Sequence, residues 1–267
     1  MHRVRCPILF RVLNNGAIMF YYSMRILKMA GLLLDFMLLT ALLYGWSWLP
    51  RKVQGRVYYR MFRVWCHAFV RALDVDLKLH QKNLLPIPKQ YILIANHPSA
   101  FEDIGIPALF EVYSLAKIEV KNWWIVGRIA IAAGTLFVKR EDRESRRAAG
   151  ENLIEELGKG KNIALYPEGG CKGKRIFESF RYGAFDVAMQ TGIPILPVFL
   201  HYEAQDDFVW RAPHTLLNKL LHFLNTQNST ANYYVFDAID PAQFTSKEEF
   251  TEYTWNLYNK WQQKYLE

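Results

Sequence analysis

One histidine lies close in sequence to two carboxylates, in a segment that could carry out acid–base chemistry. Residues 96–103 read NHPSAFED, so Glu102 and Asp103 follow His97 within one to two helical turns. A neutral imidazole is a good general base near pH 7, and a carboxylate at its other nitrogen stabilises the imidazolium that forms. Acidic residues at a helix N-terminus also stabilise the helix dipole, so this pattern alone favours catalysis and a structural role equally.

Further polar residues follow two other apolar segments. Arg140 comes two residues after GTLFV at 134–138, and Glu168 comes two residues after NIALY at 162–166. Gly169 and Gly170 stand directly behind Glu168, and glycine lets a backbone approach a ligand closely. These residues are candidates for holding a substrate, and capping of a turn is the alternative role for Glu168.

Four arginines form a basic group after GTLFV. We expect Arg140 and Arg143 to contact a phosphate, because a guanidinium can grip an oxyanion through two parallel hydrogen bonds. Arg146 and Arg147 are expected to be solvated on a helix, paired with nearby acidic side chains.

The segments around these candidates predict alternating strands and helices. Strands are expected at 90–95, 134–138, 162–166, 195–201 and 233–236, and helices at 142–157, 182–190 and 246–264, the last opening with the capping box Ser-Lys-Glu-Glu. This alternation predicts an α/β domain with a mainly parallel central sheet flanked by helices. Ligands bind at the carboxyl ends of the strands in such sheets, which is where His97, Arg140 and Glu168 would meet.

Residues 29–49 form an apolar stretch near the N-terminus. Its 21 residues contain one charge, Asp35, and a helix needs roughly 20 residues to cross a bilayer. Because a carboxylate at mid-depth costs about 2.5–3.5 kcal/mol, a helix in one leaflet, or a re-entrant pair with residues 17–24, is an alternative to spanning. A buried helix of a soluble protein is the third alternative. We favour membrane association and divide the chain into a membrane-associated helical segment at 1–55 and an α/β domain at 56–267.

The net charge of +8 belongs to the N-terminal part of the chain. Residues 1–60 hold nine basic side chains and one acidic one, and the rest of the chain holds 24 of each. The excess predicts attraction to anionic lipid head groups and gives no support for nucleic-acid binding. The three cysteines, Cys6, Cys66 and Cys171, are too few and too scattered for a disulfide framework, and no His/Cys cluster has the spacing of a zinc site.

Four blocks between about 90 and 200 resemble, in order and spacing, the motifs of the glycerolipid (lysophospholipid) acyltransferase family. The first is His97 with the acid that follows it, similar to the family's His-x4-Asp. The second includes Lys121 and Arg140. The third is YPEGG at 166–170 with FRYGAF at 180–185, similar to FPEGT and FKxGAF, and the fourth is IPILPV at 193–198.

The resemblance implies a membrane-bound enzyme that transfers a fatty acyl group from acyl-CoA or an acyl-carrier protein to the hydroxyl of a lysophospholipid or another lyso-lipid. His97 would be the general base, and no metal or cofactor beyond the acyl donor is expected. The implied substrate-binding residues are Asn96, Lys121, Arg140, Arg143, Glu168, Gly169, Gly170 and Lys172. The expected location is the cytoplasmic face of a bacterial inner membrane or an equivalent intracellular membrane.

The sequence departs from the family pattern at two places. Glu102 stands where the family has Asp, five residues after His97, and Asp103 follows directly, so either acid could partner the imidazole. Gly170 and Cys171 stand where the family has Thr-Arg, whose arginine grips an acceptor phosphate, so the acceptor could be another lyso-lipid, such as an aminolipid. A lipid A or glycolipid acyltransferase and a non-catalytic membrane-binding domain of the same fold are the alternatives.

Overall fold

The computed structural model describes residues 7–210 and 215–267, and Arg3, Arg5 and Cys6 lie outside this part of the chain. Its strands are β1 (Asp76–Gln81), β2 (Ile92–Ala95), β3 (Tyr113–Lys117), β4 (Leu136–Val138), β5 (Ile163–Leu165), β6 (Ile195–Tyr202) and β7 (Thr230–Val235). Each of the five predicted strands is present with bounds shifted by up to three residues. β1 and β3 are additional, because DLKLHQ and YSLAK lack the continuous apolar run that marks the others.

Helices connect and cover the strands. They are α1 (Pro7–Trp46), α2 (Arg51–Ala72), α3 (Glu102–Leu109), α4 (Trp124–Ala132), α5 (Arg143–Gly158), α6 (Gly183–Thr191), α7 (Gln205–Phe208), α8 (Leu216–Asn225) and α9 (Lys247–Tyr265), with 3-10 turns at Ile118–Asn122 and Pro241–Gln243. The predicted capping signal opens α9, where the Ser246 side chain accepts from the Glu249 amide. The Glu249 carboxylate reaches back to the amide of Thr245 at 2.9 Å, one residue before the usual position.

The strands form one sheet in the order β1-β7-β6-β2-β5-β3-β4. Neighbouring strands are parallel except for β6 and β7. Strands β2 to β6 therefore point one way, and β1 and β7 point the other way. The expectation of a mainly parallel sheet flanked by helices is confirmed, and we call the two ends of the five parallel strands the carboxyl end and the amino end of the sheet.

Both faces of the sheet are covered, as a parallel sheet requires. Along β2, Ile92 and Ile94 point to a core formed with α5, α6 and α9. Leu93 and Ala95 point to the opposite core, which includes side chains of α1 to α4. The four residues are fully buried, so the strand is locked in register between the two layers.

Helix α1 packs on the rest of the protein by one face. The Trp65 indole donates to Thr40 Oγ1 at 2.8 Å, and the Tyr58 hydroxyl donates to the Leu43 carbonyl at 2.9 Å, which ties α1 to α2. Within the described residues, Ser23–Trp46 is the stretch of helix whose length and apolar composition would suit a membrane crossing, and it is largely exposed. Because α1 runs without a break through residues 17–24 and 29–46, the re-entrant pair considered from the sequence is wrong.

Candidate active site

Three loops at the carboxyl end of the sheet bring the central candidates together. His97 stands two residues after β2, Arg140 two residues after β4 and Glu168 three residues after β5. Since β2 pairs with β5, the first and third of these loops are direct neighbours. The His97 amide donates to Glu168 Oε1 at 2.9 Å, so the Glu168 carboxyl holds the backbone of the histidine.

The imidazole of His97 is held in place on its flat side as well. It stacks on the Tyr166 ring with centroids 4.1 Å apart and an interplanar angle of 9°. The preceding Asn96 is fixed to β6, since its amide nitrogen donates to the Leu200 carbonyl at 3.0 Å and its oxygen accepts from the Leu200 amide at 2.7 Å. Both polar ends of Asn96 are thus engaged in anchoring the loop rather than facing a substrate.

Glu102 is the acid that lies beside the imidazole. Its Oε2 is 4.0 Å from His97 Nδ1, and its Oε1 accepts from the Ser99 amide at 2.7 Å. Neither Nδ1 nor Oε2 has a hydrogen-bond partner among the described residues, although both are buried. Two unsatisfied buried groups that face each other are exceptional in a folded protein and point to a functional pair.

Burial sets the electrostatics of this pair. It lowers the pKa of His97 to about 3, with a further contribution from the Arg140 charge, so the imidazole is neutral at physiological pH. Burial raises the pKa of Glu102 well above its ordinary value. Burial disfavours both a lone imidazolium at His97 and a lone carboxylate at Glu102. The two charged forms are therefore favourable here only as a pair.

Asp103 takes a different position from Glu102. The ion pair, hydrogen bond and ring contact of His97 within the described residues involve Glu102, Glu168 and Tyr166 and not Asp103. Burial raises the pKa of Asp103 to about 6, while the Arg140 charge and the Tyr166 hydroxyl act in the opposite direction. The loop therefore directs Glu102 to the imidazole and Asp103 towards Arg140.

Two arginines enclose Gly169. Arg140 Nη1 donates to the Gly169 carbonyl at 2.9 Å. Gly169 has φ +75°, and a Cβ at this position would lie 2.2 Å from Arg181 Nε, so the glycine is required for the close approach of the second guanidinium. Arg146 supports the first arginine, since its Nη1 donates to the Arg140 carbonyl at 2.6 Å.

A cavity of about 570 Å3 opens beside these arginines, between α5, α6 and the carboxyl end of the sheet. Arg140, Arg146 and Arg181 line it, together with apolar side chains such as Leu153 and Leu165. None of its described lining residues is acidic. A cavity with guanidinium groups and apolar walls suits an anionic group attached to a hydrocarbon chain.

The other candidates divide into two groups. Gly170 lies at Arg140, since a Cβ there would be 3.2 Å from its Nη1. Lys172 lies over the Phe177 ring at 4.6 Å, and its charge partly offsets the burial that raises the pKa of Glu168 to about 7. The structure does not bring Lys121 or Arg143 to His97: Lys121 lines a separate cavity, and Arg143 is the exposed first residue of α5.

The structure adds three residues to the site. Arg146 is exposed on α5, as expected, and it also lines the cavity and donates to the Arg140 carbonyl. Arg181 and Tyr166 belong to motifs that are visible in the sequence, FRYGAF and YPEGG, but their roles depend on packing against Gly169 and His97. Within the described residues, no group of three or more His, Cys, Asp or Glu side chains could hold a metal ion.

Comparison with known proteins gives consistent matches. A sequence model of the Acyltransferase family matches residues 76–201. A lyso-ornithine lipid O-acyltransferase from Pseudomonas aeruginosa is 27% identical over 237 residues, or 85% of this chain and 89% of that protein. A 1-acyl-sn-glycerol-3-phosphate acyltransferase from Neisseria gonorrhoeae is 28% identical over 134 residues, or 49% of this chain and 51% of that protein. A 1-acyl-sn-glycerophosphate acyltransferase from Thermotoga maritima shares the fold, with a TM-score of 0.60 at 20% identity over 90% of this chain and 97% of that one.

Proposed function

We propose that the chain is an acyltransferase of lipid biosynthesis, which transfers a fatty acyl group from an acyl thioester to the hydroxyl of a lyso-lipid. The observation that carries this proposal is the buried, neutral His97 with Glu102 facing its Nδ1, beside a cavity with arginines and apolar walls. The donor is acyl-CoA or an acyl-carrier protein.

His97 acts as the general base in this reaction. Its Nε2 takes the proton of the lyso-lipid hydroxyl while the hydroxyl oxygen attacks the thioester carbonyl carbon. The C–S bond breaks as the new C–O ester bond forms, and the departing sulfur receives the proton from the imidazolium. The products are the acylated lipid and the free thiol, and the imidazole returns to its neutral form.

Glu102 orients the imidazole and stabilises its cationic form. The 4.0 Å separation between Nδ1 and Oε2 is longer than a hydrogen bond. Catalytic hydrogen bonds often tighten only when substrate is bound, and we expect this one to close when an acceptor excludes water from the site. A carboxylate at Nδ1 then leaves Nε2 free to accept the proton.

The proposed acceptor is a lyso-ornithine lipid, and 1-acylglycerol-3-phosphate is the second candidate. In sequence, the Pseudomonas relative with the first activity aligns along 85% of this chain and the Neisseria relative with the second along 49%, whereas the Thermotoga enzyme with the second activity matches in fold. Ornithine is an amino acid and carries a carboxylate, which Arg140 or Arg181 can bind bidentately. Gly170 and Cys171, at the positions of the family's Thr-Arg, also favour an acceptor other than a phosphate monoester.

We propose that α1 attaches the enzyme to the cytoplasmic face of a membrane. Arg25 on α1 pairs with Asp74 at 3.2 Å, and Thr40 bonds to Trp65, so α1 is held along the protein over residues 25–40. A helix held in this way lies beside the domain rather than apart from it. We therefore favour a helix that enters one leaflet with its exposed apolar face over one that spans the bilayer.

A transfer assay with purified enzyme tests the function. Labelled acyl-CoA and labelled acyl-carrier protein are each offered with lyso-ornithine lipid, 1-acylglycerol-3-phosphate or no acceptor, and the labelled product is identified. His97→Ala should reduce transfer about 10²–10⁴-fold, whereas His67→Ala, which alters an exposed histidine on α2, should not. Transfer by His97→Ala at the wild-type rate would show that the general-base proposal is wrong.

A further inference from the structure

A second cavity, of about 820 Å3, lies at the amino end of the sheet. Tyr113, Thr135 and Asn162 form part of its wall, and they stand where β3, β4 and β5 begin. The site described above follows the opposite ends of the parallel strands. The two cavities therefore lie at opposite ends of short strands, and none of the residues that contact His97 lines the second one.

The wall of this second cavity carries an excess of positive charge. Glu111 and Glu156 are its acidic residues among those described. Glu111 pairs with Arg56 at 3.7 Å, and Glu156 pairs with both Lys159 and Lys161. The basic residues of the wall are Arg56, Lys89, Lys121, Lys159 and Lys161.

Lys89 and Lys121 are the cations of this wall that form no ion pair within the described residues. Both lysines line the same cavity, and like charges at one site raise its electrostatic potential. An oxyanion bound between them would compensate both charges. Phosphate suits this role because lysine binds it as a point charge without requiring a fixed fork geometry.

Exposed apolar residues flank part of the cavity wall in sequence. The wall includes residues 54–56 at the start of α2, where Gly55 breaks the helix with φ +47°. Leu49, Val53 and Val57, on either side of this break, are 48%, 55% and 59% exposed. Exposed apolar side chains beside a basic cavity fit a ligand that joins an anionic head group to hydrocarbon chains, rather than a small soluble anion.

We propose that the second cavity binds the phosphate of an anionic phospholipid, whose acyl chains lie along Leu49, Val53 and Val57. The bound lipid is neither the acyl donor nor the acceptor, because the cavity is at the opposite end of the sheet from His97. It would fix the α2 side of the enzyme against a membrane that contains anionic lipid. The proposal shares the membrane setting of the proposed function but is independent of acyl transfer.

Lipid retention by the intact enzyme in neutral detergent micelles tests the proposal without the attraction of a charged bilayer. Phosphatidylglycerol and phosphatidylcholine are offered at equal concentration, and native mass spectrometry counts the molecules of each lipid that stay bound to the protein. Wild type should retain one phosphatidylglycerol in preference to phosphatidylcholine. The pair Lys89→Gln and Lys121→Gln should weaken this retention about tenfold or more, and Thr135→Phe, which fills the cavity without changing its charge, should also weaken it.

Matched variants locate the binding. Lys260→Gln removes an exposed charge from α9, which contributes no residue to the wall of the second cavity, and Arg181→Gln alters the first cavity, so both variants should retain the lipid. Equal retention of the two lipids by wild type, or unchanged retention in both the lysine pair and Thr135→Phe, would overturn the proposal. Displacement of phosphatidylglycerol by an equal concentration of glycerol 3-phosphate would show a site for soluble phosphates instead. Each result is read from bound lipid, so none depends on the outcome of the transfer assay.

Discussion

At the residue scale, His97 and Glu102 face each other at 4.0 Å, and neither Nδ1 nor Oε2 has another partner in the described part of the chain. Asp103, one residue further, lies near Arg140 and Tyr166 instead. The sequence alone left these two acids as equal candidates. The first turn of α3 separates them, because consecutive helical residues point about 100° apart and only one can face the preceding loop.

Glu102→Gln and Asp103→Asn should therefore differ in their effect on acyl transfer. Gln keeps the size of Glu102 but cannot become the carboxylate that stabilises an imidazolium, so kcat should fall about 100-fold or more. Asp103→Asn should leave kcat nearly unchanged. Steady-state kinetics with saturating acceptor measures kcat for both variants. A fall in kcat confined to Asp103→Asn would show that Asp103, and not Glu102, is the acid that assists His97.

Glu168 makes stability depend on pH. Burial raises its pKa from 4.5 to about 7, so the neutral form is favoured in the folded protein. The resulting stabilisation is complete below pH 4.5 and is lost as the pH rises through 7, a change of about 3 kcal/mol. Glu168→Gln cannot ionise, and its Oε1 can still accept from the His97 amide. Its stability relative to wild type should therefore increase between pH 5 and pH 8.

Thermal unfolding in neutral detergent at the two pH values measures this difference for Glu168→Gln. Glu178→Gln is the control, because Glu178 is an exposed glutamate in the same region. Parallel pH dependence in wild type and Glu168→Gln would contradict the assignment of a raised pKa to Glu168.

At the element scale, the loop after β5 depends on the backbone of Gly169. This residue has φ +75° and lies between Arg140 and Arg181, and a Cβ would approach Arg181 Nε to 2.2 Å. Gly169→Ala should both strain the turn and displace the Arg181 side chain. We expect a loss of unfolding free energy of about 1–3 kcal/mol and a clear rise in the KM of the acceptor.

Gly192→Ala separates strain from displacement. Gly192 ends α6 with φ +67°, and a Cβ there would meet nothing within 4 Å. Its substitution should cost similar backbone strain but leave the KM of the acceptor unchanged. Equal KM values for Gly169→Ala and wild type would show that the position of Arg181 does not matter for binding the acceptor.

At the scale of the whole molecule, α1 presents its apolar residues in two directions. One face packs on α2 through residues such as Phe36 and Leu43. The other face exposes Leu34, Met37 and Leu38, which are 55%, 62% and 61% exposed. Burying these side chains in lipid would gain about 1.5–3 kcal/mol each, which makes this face the main source of membrane affinity in our proposal.

Replacing Leu34, Met37 and Leu38 together with Gln should weaken vesicle binding at least about tenfold. The packed face is untouched, so the fold and the α1–α2 contacts should persist. Sedimentation with vesicles in high salt measures the binding, and Tyr253→Gln, at an exposed residue of α9, is the control. Full sedimentation of the triple variant would show that α1 is not the anchor.

Local sequence patterns were enough to predict most of the sheet and the residues that follow its central strands. Short apolar runs shortly before His97, Arg140 and Glu168 predicted β2, β4 and β5. Strands buried between two layers of helices need such continuous apolar sequence. The motifs likewise predicted the resemblance to an acyltransferase family, whose model matches residues 76–201. These features are readable because each depends on residues that are close together along the chain. β1 and β3 escaped prediction because their pattern is mixed, and pairing with neighbouring strands makes them strands.

Which residues share the site depends on the three-dimensional packing of the chain. Arg146 and Arg181 join Arg140 at one cavity, whereas Lys121 and Arg143, from equally suggestive positions, do not. The choice of Glu102 over Asp103 and the close approach of Arg181 to Gly169 depend on which loops are neighbours and how their side chains pack. The order of strands in the sheet sets those distances, and it arises from contacts between segments far apart in sequence, which no local pattern encodes.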